Sequence, residues 1–393
     1  MHFSSWARLP CCRALLALAV CSTAGTSHAV EVASSAPWNV RLVAELSALD
    51  RQSRPEIGVY VRDLSTGTAA LYKADEDWYI ASMVKVPVAI AVMRGVEAGL
   101  FTLDTTLRIR AADYVDGGGF TNRHAVATPL SVRYLLEQMI IHSDNTASDM
   151  LIGLVGLSEL NALVKSLVPE GFHRITTLAE VRRQVYGLLT PAARQLSGQD
   201  LLRIHRERGD SARLAMLSQI TGVPVPRFKL KSLESAYTAY YAGGYNSARL
   251  DAYGELLSLL FQGHALNAES TAYMVQLMER TATGPQRVKA GLPAGTRYAH
   301  KTGTQRRRVC DSGLVRVTQI GRDTRAIVVA CARGELSLTH SETALRNVGS
   351  AICRSGLLTQ GVIDAPSCHA VARAERGSVA APAAVRQPVS PRR

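Results

Sequence analysis

The sequence predicts an α/β plus all-α fold: an antiparallel sheet flanked by helices and formed from both chain ends, with an all-helical subdomain inserted between them. Three observations carry this. Strand-like runs are confined to "IGVYVRDLSTGTAALYKADEDWYIA" (57–81) and to the stretch from "GTRYAHKTGT" (295–304) through "AIVVACARG" (326–334). Residues 83–289 between them place apolar side chains at helical spacing. The 393 residues, 47% hydrophobic and 20% charged, are enough chain of ordinary globular composition to bury a large core. A cleft is expected along the seam of the two parts.

In chain order, "MHFSSWARLPCCR" carries Arg8 and Arg13 and leads into the apolar "ALLALAV" and the small residues ending at Ser27-His28-Ala29. That is the pattern of a secretory leader, cleaved after residue 29. Lipid attachment at Cys21 is the rival reading, disfavoured by Val20 beside it. No apolar run approaches the roughly 20 residues that span a bilayer. "APWNVRLVAELSALDRQ" spaces Leu42, Leu46 and Leu49 as a helix does. Residues 57–81 read as two strands around a Ser65-Thr66-Gly67 turn. Helices are expected over Met83–Ala98, Ser131–Ile141, Ala147–Leu154, Gly198–Glu207, Asp251–Gln262 and Glu269–Thr281, with Ser131 and Asn267 as N-caps. Strands return at 295–333, and a helix over His340–Arg354 ends the folded body. The domain is thus 35–355, with an α/β part at 35–82 and 290–355 and a helical part at 83–289; residues 370–393, rich in Ala, Pro and Arg, read as a disordered tail.

Cys310, Cys331, Cys353 and Cys368 remain after the leader, an even number suited to an oxidising compartment. The hairpin look of "RRRVCDSGLVRV" and "TRAIVVACARG" favours Cys310–Cys331 and leaves Cys353–Cys368, with buried free thiols as the alternative. Of the net charge of +13, the leader holds +2 and the tail +4, so the body carries a modest +7. That excess favours anionic surroundings or substrates by long-range attraction. No basic stripe interleaved with aromatics points to a nucleic-acid partner.

The chemistry lies in three short strings. In "YIASMVKVPV", Ser82 precedes Lys85 by three residues at the start of a helix, so hydroxyl and amine share one face. A serine hydroxyl needs an adjacent base to attack, and burial strips a lysine of its proton. S-x-x-K alone is also met as a capping serine with a snorkelling lysine. "IIHSDNTASD" then sets Ser143-Asp144-Asn145 at a helix corner, and "YAHKTGTQ" sets Lys301-Thr302-Gly303 on a strand. S-x-x-K, S-D-N and K-T-G in this order are the signature of the active-site serine β-lactamases and penicillin-binding proteins. Over most of residues 35–355 the chain resembles the class A serine β-lactamase family, whose two-part fold agrees with the strand–helix–strand layout.

That resemblance implies roles. Ser82 would attack the lactam carbonyl and become acylated, with Lys85 helping to remove its proton. Ser143, aided by Lys301, would relay a proton to the departing nitrogen. Asn145 would bind the substrate's amide, Lys301 and Thr302 its carboxylate, and the backbone N–H groups of Ser82 and Thr304 would form the oxyanion hole. Gly303 would keep the strand edge slim. Hydrolysis of the acyl-enzyme needs a carboxylate, which class A enzymes take from an E-x-x-L-N string absent here. Glu180, 37 residues beyond Ser143 in "TTLAEVRRQVY" with Gln184 four residues on, is the candidate; Glu170 is the fallback, and a solvated carboxylate paired with Arg182 or Arg183 is the bland reading of Glu180.

Two further departures bear on substrate choice. Glu180 and Lys301 stand 121 residues apart, and residues 188–232 read as extra helices near the cleft. Arg306–Arg308 follow the K-T-G string, either steering anions or forming a solvated turn. Tyr114 is a candidate for the cleft wall or for the core, and His142 reads as a helix-end residue. No H-E-x-x-H, G-x-S-x-G or glycine-rich phosphate loop occurs, so no metal and no cofactor is expected. The favoured reading is a secreted, periplasmic, monomeric hydrolase acting on a small β-lactam or peptidoglycan-like amide, without stable membrane insertion. A D-alanyl-D-alanine peptidase or esterase and a non-catalytic envelope-binding protein are the alternatives.

Overall fold

The described residues bury two hydrophobic cores, one on each side of a single sheet. The computed structural model describes residues 36–319 and 322–359 together with Cys368. The leader and the tail lie outside the described residues.

Helix α1 (Trp38–Gln52) buries Leu42 and Leu46, two of the three positions its spacing singled out, and leaves Leu49 half-buried. The next strands are β1 (Glu56–Asp63), β2 (Ala69–Tyr72) and β3 (Asp77–Tyr79). Where two strands were expected, three form, because the turn after Tyr72 diverts β3 out of the main sheet. A one-turn 3-10 helix (Ala81–Val84) leads into α2 (Lys85–Glu97), so the expected Met83–Ala98 helix starts two residues later as an α-helix. The helical part continues with β4 (Thr106–Arg108), β5 (Pro129–Ser131), α3 (Val132–Ile141), α4 (Asn145–Val155), α5 (Leu157–Leu167), α6 (Leu178–Leu189), α7 (Gly198–Arg206), α8 (Asp210–Thr221) and α9 (Leu233–Ala242). β6 (Ser247–Arg249), α10 (Leu250–Phe261), α11 (Ala268–Glu279) and α12 (Val288–Gly291) return the chain to the sheet. It ends with β7 (Arg297–Gln305), β8 (Arg308–Gln319), β9 (Arg322–Arg333) and α13 (Leu338–Arg354).

The sheet runs β2-β1-β9-β8-β7, antiparallel at every step, with β1 opposite β9 from Glu56↔Arg333 to Asp63↔Ala326. The two chain ends thus build one sheet, as expected. β3 pairs instead with β6 of the helical part, Trp78 opposite Ala248, in a two-stranded ribbon, and the strong β-formers Trp78 and Tyr79 pack into the larger core. One face of the sheet packs on α1 and α13 through Val59, Val61, Val328, Leu345 and Ile352; the other joins the helical core through Tyr60, Leu314, Ile327 and Val329. This alternation is the period-2 consequence of the strand pleat.

Both expected caps form: Ser131 accepts from the Tyr134 N–H and Asn267 from the Ser270 N–H. Both cysteine pairs are bonded, Cys310–Cys331 across β8 and β9 and Cys353–Cys368 beyond α13, which excludes the free-thiol alternative. The first closes a separation of 21 residues. Cys310→Ala/Cys331→Ala is expected to lose about 3 kcal/mol of stability by the loop-entropy relation. A thermal melt under non-reducing conditions checks this, and an unchanged midpoint would show the hairpin to be already closed in the unfolded ensemble.

Candidate active site

Three separate pieces of chain meet around two buried lysines. The Lys85 Nζ, on the first residue of α2, lies 3.0 Å from the Ser82 Oγ, 2.7 Å from the Ser143 carbonyl, 3.2 Å from the Ser143 Oγ and 2.7 Å from the Asn145 Oδ1. From the opposite side the Lys301 Nζ donates to the Ser143 Oγ at 2.9 Å and to the Thr302 carbonyl at 2.9 Å. Ser143 is therefore the hydroxyl shared by both amines. Residues 82, 85, 143, 145 and 301, far apart in sequence, form one hydrogen-bonded network.

Local structure explains how each group gets there. Asp144 caps α4, accepting from the Ala147 N–H at 2.9 Å, and its second oxygen takes the Thr121 N–H at 2.8 Å. The cap pins the corner so that Ser143 precedes the helix and Asn145 opens it. Ala81 and Ser143 hold positive φ angles of 48° and 60°, a costly conformation for residues other than glycine and one kept where the surroundings enforce it. Strand β7 runs against this turn. A Cβ at Gly303 would sit 2.5 Å from the Ile80 carbonyl oxygen, so only glycine lets β7 lie this close ahead of Ser82.

Burial sets the electrostatics. Desolvation pushes the Lys85 amine down to about 7; Asp144 and Asp149 oppose the shift and Arg182 adds to it. Lys301, likewise buried, is held well below its ordinary value first by desolvation, then by Lys85 and Arg287. An amine near 7 beside a serine hydroxyl is half neutral at neutral pH, which is what a base for that hydroxyl requires.

Several supporting residues carried no sequence signal. Arg287 is buried, donating to the Gly303 carbonyl at 3.0 Å, the Cys310 carbonyl at 2.9 Å and the Thr304 Oγ1 at 2.7 Å. It clamps the far end of the K-T-G strand. Thr283 pairs with the Thr302 Oγ1 at 2.5 Å. Asp149, four residues after Asn145 on α4, accepts the Leu178 and Ala179 N–H groups at 2.7 and 2.8 Å, tying the start of α6 to the helix that carries Asn145. Its i, i+4 relation to Asn145 was the one available hint. The Asn145 Nδ2 donates to the Asp116 carbonyl at 2.6 Å. The Asp116 carboxylate is gripped by Arg182 from α6 at 2.8 Å and approached by His205 of α7 at 3.2 Å. Burial opposes both charges, yet Arg182 and His205 hold Asp116 well below the usual carboxylate range. The extra segment does reach the cleft, through His205.

The remaining expected residues sort as follows. Glu180 lies in the first turn of α6, its carboxylate accepting from Gln184 at 3.0 Å and its N–H donating to the Thr177 Oγ1. Among the described residues no hydrogen bond or ion pair links it to Ser82, Lys85 or Ser143. The arginines of the bland reading are engaged elsewhere, Arg182 with Asp116 and Arg183 with the Leu196 carbonyl. Glu170 is exposed, near Arg249. Tyr114 is a core residue, its hydroxyl donating to the His124 carbonyl. His142 caps the end of α3 and meets Phe120 edge-on. Arg306 and Arg307 are not free to steer anions: Arg306 pairs with Asp210 and Glu234, Arg307 with Glu234, and Arg308 stacks over Tyr241.

Comparison with known proteins bears on the family and the fold. Over 128 residues the chain is 35% identical to β-lactamase L2 of Stenotrophomonas maltophilia, covering 32% of this chain and 42% of that enzyme. It is 25% identical over 303 residues to β-lactamase OXY-2 of Klebsiella oxytoca, covering 76% of this chain and 81% of the relative. The chain thus spans less than half of L2 and most of OXY-2. Among solved structures, the acyl-enzyme complex of a PBP-A point mutant with penicillin G superposes with a TM-score of 0.61 at 19% identity, covering 81% of this chain and 96% of that one. An ancestral class A β-lactamase superposes at 0.59 and 23% identity, covering 79% and 98%. These likenesses show the shared fold. A family profile matches residues 41–355, the whole described body from α1 to the end of α13, and the chain belongs to the β-lactamase enzyme family.

Proposed function

We propose that this chain is a secreted serine hydrolase that opens the amide of β-lactams through an acyl-Ser82 intermediate. The single observation that carries the reading is the Lys85 amine, lowered to about 7 and 3.0 Å from the Ser82 hydroxyl. Neutral Lys85 accepts the Ser82 proton as the oxygen attacks the carbonyl. The backbone N–H groups of Ser82 and Thr304 receive the developing oxyanion. Ser143, hydrogen-bonded to both lysines, passes a proton to the nitrogen as the ring bond breaks. Lys301 and Thr302 hold the substrate carboxylate, and Asn145 its amide. The β-lactamase names of the relatives and the two disulfides accord with a hydrolase working in an oxidising compartment such as the periplasm.

In this reading Glu180 activates the water that releases the acyl group. One observation favours a second reading, a D-alanyl-D-alanine peptidase or esterase that keeps its β-lactam adduct: the Glu180 carboxylate is turned to Gln184 on its own helix. Brief exposure to benzylpenicillin followed by intact-mass spectrometry over time decides. An adduct on the wild type, absent from Ser82→Ala, supports acylation at Ser82. Rapid loss of that adduct, slowed at least tenfold in Glu180→Gln, supports β-lactam hydrolysis with Glu180 as the base. An adduct equally persistent in both supports the peptidase. No adduct on the wild type together with no consumption of benzylpenicillin sinks both and leaves a binding protein.

A further inference from the structure

Next to the K-T-G strand lies a cavity of about 360 Å³ whose walls include Thr304, Gln305, Tyr186, Arg213, Tyr237 and Leu336. Tyr186 comes from α6, Arg213 from α8 and Tyr237 from α9, so the extra segment supplies Arg213 and the two helices that flank it supply the tyrosines. Thr304 directly follows Gly303, which presses on Ile80 and Ala81 just ahead of Ser82. Thr304, an oxyanion donor in the acyl-Ser82 reading, is thus shared between the reacting centre and this cavity.

The charges in the cavity are unequal in their freedom. Arg306 and Arg307 are consumed by Asp210 and Glu234. Glu335, on the rim, accepts the Ser337 N–H at 2.8 Å and faces His340. Asp116, the acid nearest the two tyrosines, is gripped by Arg182. Arg213 spends its Nε on the Glu207 carbonyl at 3.2 Å and, among the described residues, its guanidinium has no carboxylate partner. The Tyr186 and Tyr237 hydroxyls have no hydrogen-bond partner among the described residues, and both side chains line the cavity. One unmatched guanidinium, two hydroxyl donors and the Leu336 side chain face a common space.

We infer that this cavity is an acyl-side-chain subsite for a substituent bearing a carboxylate, with Arg213 as its charge partner and Tyr186 and Tyr237 as hydroxyl donors. A guanidinium binds a carboxylate through paired N–H donors, and the apolar wall suits a short hydrocarbon or ring between the carboxylate and the reacting amide. The inference rests on the acyl-Ser82 reading and narrows it: the preferred substrates are amides whose acyl group is itself anionic.

Benzylpenicillin and its α-carboxy derivative differ only in a side-chain carboxylate and are suitable probes. Binding of each to Ser82→Ala protein by calorimetry tests the subsite without chemistry. The carboxylated probe is expected to bind about tenfold tighter, the scale of one charge-assisted hydrogen bond partly screened by solvent. In Ser82→Ala/Arg213→Ala the preference falls to within about twofold, the benzylpenicillin affinity stays unchanged, and Arg213→Lys restores part of it. Equal binding of the two probes to Ser82→Ala, or a preference that survives Arg213→Ala in protein with an unchanged melt, overturns the subsite. Absence of both a covalent adduct and probe hydrolysis on the wild type, with the binding preference intact, instead overturns the acylation reading alone.

Discussion

Lys85→Ala is expected to lower the rate of Ser82 acylation by roughly a thousandfold, the middle of the range for a positioned general base. The wild-type rate should climb as pH rises through about 7, the value to which burial depresses the Lys85 amine, while the residual Lys85→Ala rate stays flat across that window. The sign follows from the charge type: the ammonium form cannot accept a proton, so acid silences the base. Stopped-flow acylation with a chromogenic cephalosporin from pH 5 to 9 is the measurement. A rate that ignores pH near 7, or a Lys85→Ala protein that acylates normally, would remove Lys85 from the proton path. The same depression makes Lys85 a stability cost that is full below about pH 7 and fades as pH rises towards the unfolded value of 10.5. Lys85→Met should therefore keep the fold, which a thermal melt can verify, and so separates lost chemistry from lost structure.

Asp149→Ala should be the most damaging single change to stability near the site, at about 2–5 kcal/mol. It leaves the buried Leu178 and Ala179 N–H groups without an acceptor and frees the start of α6 from α4. Asn145, four residues earlier on α4, would lose its support, so acylation should fall along with stability. Asp149→Asn keeps one acceptor and should cost less. Desolvation raises the Asp149 carboxyl to about 6 from 3.8, with the two backbone donors opposing the shift. Its contribution is thus fully present below about pH 3.8 and lost as pH rises through about 6. The stability gap between wild type and Asp149→Asn should consequently narrow from pH 5 to 7, as read from urea midpoints at each pH. A gap that stays flat from pH 5 to 7 would show that the carboxyl is already ionised in the fold and that the helix N-terminus outweighs its desolvation.

The sequence by itself determined the parts of this protein whose physics is local. Period-2 runs at both ends and helical spacing between them were enough for the two-part fold and for α1, and turn chemistry was enough for the caps at Ser131 and Asn267. The trio of Ser82, Ser143 and Lys301 was readable because each sits in a short string whose spacing reports its own turn, helix start or strand. Only the tertiary structure decided what depends on contacts between distant segments. β3 could not be assigned to β6, because a three-residue strand carries no record of its partner across the chain. Arg287, Asp116 and Asp149 were silent because a desolvated ion's worth lies in what encloses and pairs it, and those partners come from α6, α7, β7, β8 and α13. For the same reason Arg306 looked free in the sequence and is neutralised in the fold, while Arg213, unremarkable in its string, has no carboxylate partner among the described residues and lines the cavity beside Thr304. Spacing along the chain encodes which groups are present; desolvation and pairing across it fix which of them are left charged, neutral or available to a substrate.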